Sequence, residues 1–305
     1  MTVPHSTSIA PAAFLAAFLM TGFSQEKVEG PDAIRVPGIN PLIAESDAHY
    51  ARRQEGRVGA QANPREIALA VAGYDTAARA PDSAESRWKL ARSLYFQGAY
   101  TGLDDDARQA VFDKARRAGE EAIRVLERRA ARKGVSSFEG RPPSEIAAVL
   151  AGDPDAAPSF FWAAVAWGEW ALVSGKAHAA RTGAAEKIRD YASTVIALDP
   201  AFEEGGGYRI LGRLHHQAPR VPFLTPWVSR EKALSNLRLA VGVHENNFVN
   251  RHFLAEALAD GTSAERAEAI RIEEKIVADS PSPGHLVEEL AIQVEAKKNL
   301  AKWKT

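Results

Sequence analysis

The chain of 305 residues contains no cysteine. That absence excludes disulfides, thiolate metal centres, a cysteine nucleophile and a lipid-bearing cysteine. A surplus of charge of either sign is also missing. With 38 Lys and Arg against 39 Asp and Glu, no global basic field points toward nucleic acid. Period-two alternation of apolar and polar residues, the mark of half-buried strands, is lacking as well. The chain holds no His-Glu-x-x-His, no Gly-x-Ser-x-Gly and no P-loop Gly-Lys-Ser. The expectation is a protein that is not an enzyme, with no cofactor and no metal site.

The longest uncharged apolar run near the N-terminus, Ile9–Phe23, is too short for an ordinary membrane span. It suits the apolar core of a signal peptide over residues 1–24, with Gly22 and Ser24 as small residues ahead of a cut before Gln25. Periplasmic localisation follows as an expectation. Residues 25–41, rich in proline and glycine, read as a linker. Residues 42–305 then read as one helical domain.

What is present in that domain is helical punctuation. Segments with apolar residues at helical spacing end in proline or in an acidic-proline turn, as in Tyr191–Pro200 (YASTVIALDP). The pairs parse as 42–80, 86–133, 160–199, 205–243 and 248–278, with a final helix over about 284–303. Insertions lie at 134–158, with a short helix near 145–150, and at 217–228. Residues 205–219 (GGGYRILGRLHHQAP) place Tyr208, Leu211, Gly212 and His215 at the spacing of a tetratricopeptide (TPR) first helix. A small residue there lets two helices approach closely. Trp88, Ala91 and Tyr95 show the same pattern in the second pair, before a break expected from Gly98 onward. A TPR unit spans about 34 residues, and at least three are needed to bury a continuous core. The predicted fold is therefore an all-α, TPR-like α-solenoid of four to five degenerate helix pairs with a capping C-terminal helix. The two insertions, long for repeat turns, are the places where a partner would dock or a channel mouth would close.

Residues 160–173 (FFWAAVAWGEWALV) are apolar on every face, so this helix must be surrounded by others. Either it is the central core helix, or one tryptophan face lines an apolar cavity. Glu169 is its only charge, and a lone buried carboxylate is costly. Arg209 and Arg213 share a helix face four residues apart. Two readings stay open: a Glu169–arginine ion pair that staples the helices, or polar groups along a wet interior path that contact an anionic ligand. His215 and His216 point to different sides of one helix and do not make a two-histidine metal site. His215 reads as a ring packed on the following helix. Gly205–Gly207 reads as a flexible or closely packed helix start, not a phosphate loop. Asp104–Asp106 sit where carboxylates complement a helix start. The Lys and Arg of residues 114–133 are interleaved with Glu120, Glu121 and Glu127, as on a solvated face.

On residues 160–170 (FFWAAVAWGEW), 187–200 (KIRDYASTVIALDP) and 205–219, the chain resembles the TatT family, the T-component associated with tripartite ATP-independent periplasmic (TRAP) transporters. The resemblance covers about residues 60–280. It implies a periplasmic helical protein of cryptic TPR-like repeats that pairs with the substrate-binding P-component of the transporter. It implies a channel through the bundle that takes a hydrophobic or amphipathic organic acid, with homo-oligomerisation left open. The residues it points to as channel-lining or packing groups are Phe161, Trp162, Trp167, Tyr208, Arg209, Arg213 and Trp227, to which the residue reading adds Glu169. Family members can be lipoproteins, and this chain departs from that pattern in lacking the cysteine.

Overall fold

The computed structural model describes residues 39–221 and 225–305. The expected signal segment and most of the linker lie outside the described residues. Among the described residues every named element is helical, and none is long and apolar enough to cross a membrane.

The helices pack as neighbouring pairs in chain order. The first pair is α1 (Ile39–Ala51) with α2 (Pro64–Ala77), and the second α3 (Ala84–Tyr100) with α4 (Asp105–Ala131). The short α5 (Pro143–Val149) fills the first insertion. The third pair is α6 (Ala156–Ser174) with α8 (Ala184–Leu198), separated by a six-residue α7 (Lys176–Arg181). The fourth is α9 (Phe202–Gln217) with α10 (Arg230–Val243), the fifth α11 (Phe248–Ala259) with α12 (Ser263–Ala278). A 3-10 turn, Pro283–His285, leads into the closing helix α13 (Leu286–Trp303). The array is the expected all-α helical-hairpin solenoid, with five pairs and a C-terminal helix.

Local chemistry explains the starts of these helices. The side chains of Asn63, Ser83, Asp104, Ser229 and Asn247 each accept a backbone N–H of the first turn, and Thr262 with Glu265 forms a reciprocal capping box. At the end of α8, Asp199 accepts from the Ala201 N–H at 2.9 Å, closing the Leu-Asp-Pro turn. Three boundaries differ from expectation. Helix α1 begins at Ile39, inside the predicted linker, with Pro41 tolerated in its first turn. Helix α6 begins at Ala156, inside the first insertion. The break expected at Gly98 starts instead at Thr101, because Gly98 is a packing residue: a Cβ there would meet the Phe112 ring at 2.5 Å.

Glycine also sets how closely other helices cross. A Cβ on Gly119 of α4 would lie 2.7 Å from the Ala163 Cα of α6, and one on Gly212 of α9 would lie 2.5 Å from the Leu237 side chain of α10. The expected role of Gly212 in close approach is what the packing shows. Helix α6 touches α3, α4, α8 and α9, which explains why it is apolar all round.

Beyond pairing with its own partner, each first helix from α3 onward touches the next: α3 with α6, α6 with α9, α9 with α11, and α11 with α13. One wall of the array is thus built from first helices. The array also closes on itself. Arg53, just past the end of α1, bonds Glu288 of α13 at 2.8 Å and the Gly284 carbonyl at 2.9 Å. Gln54 donates to the Gly284 carbonyl at 2.8 Å and accepts from the Val287 N–H at 2.9 Å.

Candidate functional site

The wall of first helices carries a run of rings in edge or tilted contact. It passes from Tyr50 to Phe96 at 6.5 Å, Phe96 to Tyr100 at 5.0 Å and Tyr100 to Tyr95 at 6.1 Å. It continues from Tyr95 to Trp162 at 5.8 Å, Trp162 to Phe161 at 5.1 Å and Phe161 to Phe202 at 5.5 Å. Four pairs of the solenoid contribute to this one ladder. Such offset contacts each add about 0.5–1.5 kcal/mol beyond area burial.

Charges are buried beside these rings. The Arg92 guanidinium sits 3.8 Å from the Tyr50 centroid, and that of Arg53 lies 4.7 Å from the same ring. Arg92, Arg53 and Arg209 are all buried, Arg209 completely. Arg209 donates to Asn250 Oδ1 at 2.7 Å and to the Glu203 carbonyl at 3.2 Å. Burial pulls the Arg209 pKa down to about 10, against the opposing fields of Glu203 and Glu204. Burying so many guanidinium groups is costly unless carboxylates or rings receive them. Here α1, α3, α9, α11 and α13 each supply part of that reception.

The segment that presents Glu203 is distorted. Glu203 and Glu204 have φ of 49° and 57°, followed by Gly205 at 82°, so the first turn of α9 is left-handed. For residues with a Cβ this conformation costs about 1–2 kcal/mol each. Asn247 and Asn250, both fully buried, hold it in place. Asn247 donates to Glu204 Oε2 at 2.7 Å, while Asn250 donates to the Glu204 and Ala240 carbonyls, each at 2.9 Å. Glu203 Oε2 is shut off from solvent and has no hydrogen-bond partner. Burial raises the Glu203 carboxyl to about 7, although Arg209, Arg92 and Arg53 all favour its ionised form. The three glycines that follow are tightly packed, as one of the two expected readings held. A Cβ on Gly206 would strike the Phe161 ring at 2.6 Å, and one on Gly207 the Ile196 side chain at 2.7 Å.

The eight residues singled out by sequence fall into several places. Phe161, Trp162 and Arg209 belong to the inner wall just described. Glu169 is buried on α6. Arg213, one turn along α9, forms an ion pair with Glu256 and lies 4.2 Å from the Phe253 ring. Tyr208 points elsewhere, into an open groove of about 590 Å³ between α9 and α10, beside Leu239 and Val243. Trp167 packs against Trp170 at 5.2 Å and takes Arg116 and Lys187 over its ring at 4.8 and 4.7 Å. Trp227, in the second insertion, packs against His215 at 5.3 Å and takes Arg189 over its ring at 4.9 Å. His215 therefore stacks on that insertion, not on the next helix. Phe223 of the same insertion lies outside the described residues.

Glu256 extends a second buried network. Its carboxylate is held down at about 2: burial opposes this, and Arg213, then His252 and His216, outweigh it. His252 Nδ1 lies 2.9 Å from Glu273 Oε1, which also accepts from Asn299 at 3.0 Å. The chain from Arg213 to Asn299 ties α9, α11, α12 and α13 together. Among the described residues no group of His, Asp and Glu is arranged to hold a metal ion.

Sequence reasoning missed Arg53, Arg92, Glu203, Asn250 and Glu256. The usable signal was Arg92, a lone cation inside the apolar stretch Leu90–Phe96. A comparison with protein-family models returned no match, and neither did one with curated protein sequences.

Proposed function

We propose that this protein is a non-catalytic binding protein whose inner wall takes an amphipathic organic acid. In that reading it serves as a periplasmic accessory of TRAP-type solute uptake and works with a separate substrate-binding protein. The observation that carries the proposal is the inner wall itself. An ordinary solenoid core is apolar, yet here seven rings run beside Arg53, Arg92 and Arg209. Rings suit an apolar ligand body, and guanidinium groups favour an anionic head. The transport setting and the P-component partner rest on the sequence resemblance alone.

Extraction of the freshly purified protein, followed by mass spectrometry, tests the ligand. An amphipathic carboxylic acid in near-stoichiometric amount is expected. A clean extract, with no affinity for added carboxylates, would leave a scaffold that binds proteins only. The partner half is tested by shortening 217–228, which should abolish capture of a co-encoded substrate-binding protein and leave the helical circular dichroism intact. Unchanged capture would remove that insertion from the interface.

A further inference from the structure

A groove of about 490 Å³ opens where α4, α6 and α7 meet. Asp106, Gln109, Asp113 and Arg116 line it from α4, at a spacing that puts them on one helix face. Trp170 of α6 and His178 of α7 line the other side. Two of these groups are already engaged. Asp113 accepts from Arg116 at 2.9 Å and from Arg117, and Arg116 also bonds Glu120 at 3.3 Å and lies 5.0 Å over the Trp170 ring. Three others are uncommitted. Among the described residues, no hydrogen bond or ion pair engages the Asp106 carboxylate, the Gln109 amide or the His178 ring nitrogens, and all three residues are exposed.

Asp106 by itself is an ordinary first-turn carboxylate of α4. Trp170 is less ordinary. It is 6 % exposed, and a buried indole N–H usually finds a partner. Among the described residues the Trp170 N–H meets no acceptor; unlike that of Trp167 it is not shut off from solvent, and the open space beside it is this groove. A donor, a carboxylate and an amide thus border one cavity with their hydrogen-bonding capacity unused. The charges around them balance. Counting every described ionised group that lines the groove or is joined to one that does, Asp106, Asp113 and Glu120 stand against Arg116, Arg117 and Lys187. Next along the helix, Asp105 is paired with Arg108, and Asp104 caps the positive end of α4. Neither a cation nor an anion gains a net attraction from such a set. An ammonium group would leave the Trp170 N–H without an acceptor, and a carboxylate would meet Asp106. A hydroxyl both donates and accepts, so it can serve Asp106, Gln109 and Trp170 alike.

We propose that the groove between α4, α6 and α7 is a binding site for a neutral saccharide. Asp106 and Gln109, neighbours three apart on α4, bond two adjacent hydroxyls of the sugar ring. The Trp170 N–H donates to a third hydroxyl or to the ring oxygen. The exposed His178 ring, seated 5.2 Å from Trp170, packs on the C–H face of the sugar. The groove volume falls within the range of about 300–1,000 Å³ usual for small-molecule sites. No covalent bond forms or breaks. This site stands apart from the inner wall and does not depend on ligand binding there.

The test is saturation-transfer NMR of the full chain with D-glucose, D-galactose, D-mannose, N-acetyl-D-glucosamine, maltose and maltohexaose. At least one should bind with a Kd of about 1 mM or tighter. Asp106→Ala, at an exposed position, should weaken that binding about tenfold or more, because it removes hydrogen bonds to a charged group. Gln109→Ala and Trp170→Phe should each weaken it about threefold to tenfold. Helical circular dichroism should be unchanged in all three variants. The 2-amino and uronate analogues of the sugar that binds should bind no better than the neutral parent. Tighter binding of maltohexaose than of maltose would make the end of a glycan chain the ligand, and equal binding a free sugar. No binding of any of the six by wild type at about 50 mM, or binding untouched by Asp106→Ala and Gln109→Ala, would overturn the site. An amino sugar that binds more than about tenfold tighter than its neutral parent would overturn the assignment of a neutral ligand.

Discussion

At the scale of single residues, Glu203 and His215 set opposite limits on stability. The Glu203 carboxyl is raised from 4.5 to about 7 by burial, so its contribution is complete below about pH 4.5 and is lost as pH rises through about 7. His215 is lowered from 6.5 to about 4, chiefly by burial and then by Lys232 and Arg189. Its contribution is complete above about pH 6.5 and is lost as pH falls through about 4. Glu256, held down at about 2, adds a further loss at the acid end. Urea midpoints of the wild type should therefore peak between these limits. Glu203→Gln should flatten the alkaline limb, and His215→Phe should flatten part of the acid limb. A midpoint that climbs steadily to alkaline pH would contradict the burial of Glu203. The strain makes a separate prediction. Glu203→Gly removes both the left-handed penalty and the unpartnered carboxyl, against a larger entropy loss for glycine on folding. At about pH 6 it should stabilise the protein by about 1–2 kcal/mol. Destabilisation by a similar amount would show that the turn is not strained.

At the scale of elements, helix packing is controlled by where a Cβ fits. Gly119→Ala would push a methyl group to 2.7 Å from the Ala163 backbone, which cannot yield as a flexible side chain can. Overpacking of this sort costs about 1–3 kcal/mol. Gly242→Ala is the matched control, because nothing lies within 4 Å of its Cβ and the residue is helical. It should be neutral or stabilising by up to about 1 kcal/mol. Equal effects of the two substitutions in denaturant melts would mean that the α4–α6 crossing is looser than described. The same contrast explains what could be read in advance. Helix pairs were legible because caps, prolines and helical periodicity are local signals, as in Leu198-Asp199-Pro200. The small residue at Gly212 was legible because its spacing is local too. The left-handed turn was not, since Glu-Glu-Gly-Gly-Gly reads equally as a loop. Nor was the inner wall, whose members at 50, 92, 162, 203 and 288 share no local pattern and meet only through the curvature of the array. Trp167, Tyr208 and Trp227 show the converse. The helices of Trp167 and Tyr208 and the insertion that holds Trp227 were identified, but which side each ring faces depends on neighbours far away in sequence.

At the scale of the molecule, the closing contact between α1 and α13 decides how the array behaves. An open solenoid is nearly one-dimensional, each unit stabilised only by its neighbours, so its ends fray. Here Arg53 and Glu288, 235 positions apart, are both buried and joined at 2.8 Å, with Gln54 pairing beside them. Among the described residues, no extensive helix packing joins α1 to α13 apart from these bonds. The ion pair therefore carries much of the connection between the two ends. Arg53→Met leaves the Glu288 carboxylate buried without its cation, and breaking a buried pair in this way costs about 3–5 kcal/mol. Replacing both, Arg53→Met with Glu288→Leu, should recover most of that loss, because an apolar pair of similar volume needs no desolvation. Stability alone does not distinguish a local defect from an opened array. Amide hydrogen exchange does, because closure couples the two ends. In wild type, α1 and α13 should exchange at rates close to each other and near the global unfolding limit. In Arg53→Met both should become fast together, while α6 stays protected. Faster exchange confined to the Arg53 turn would mean that each end is held by its own neighbours and that the array is closed in shape but not in energy.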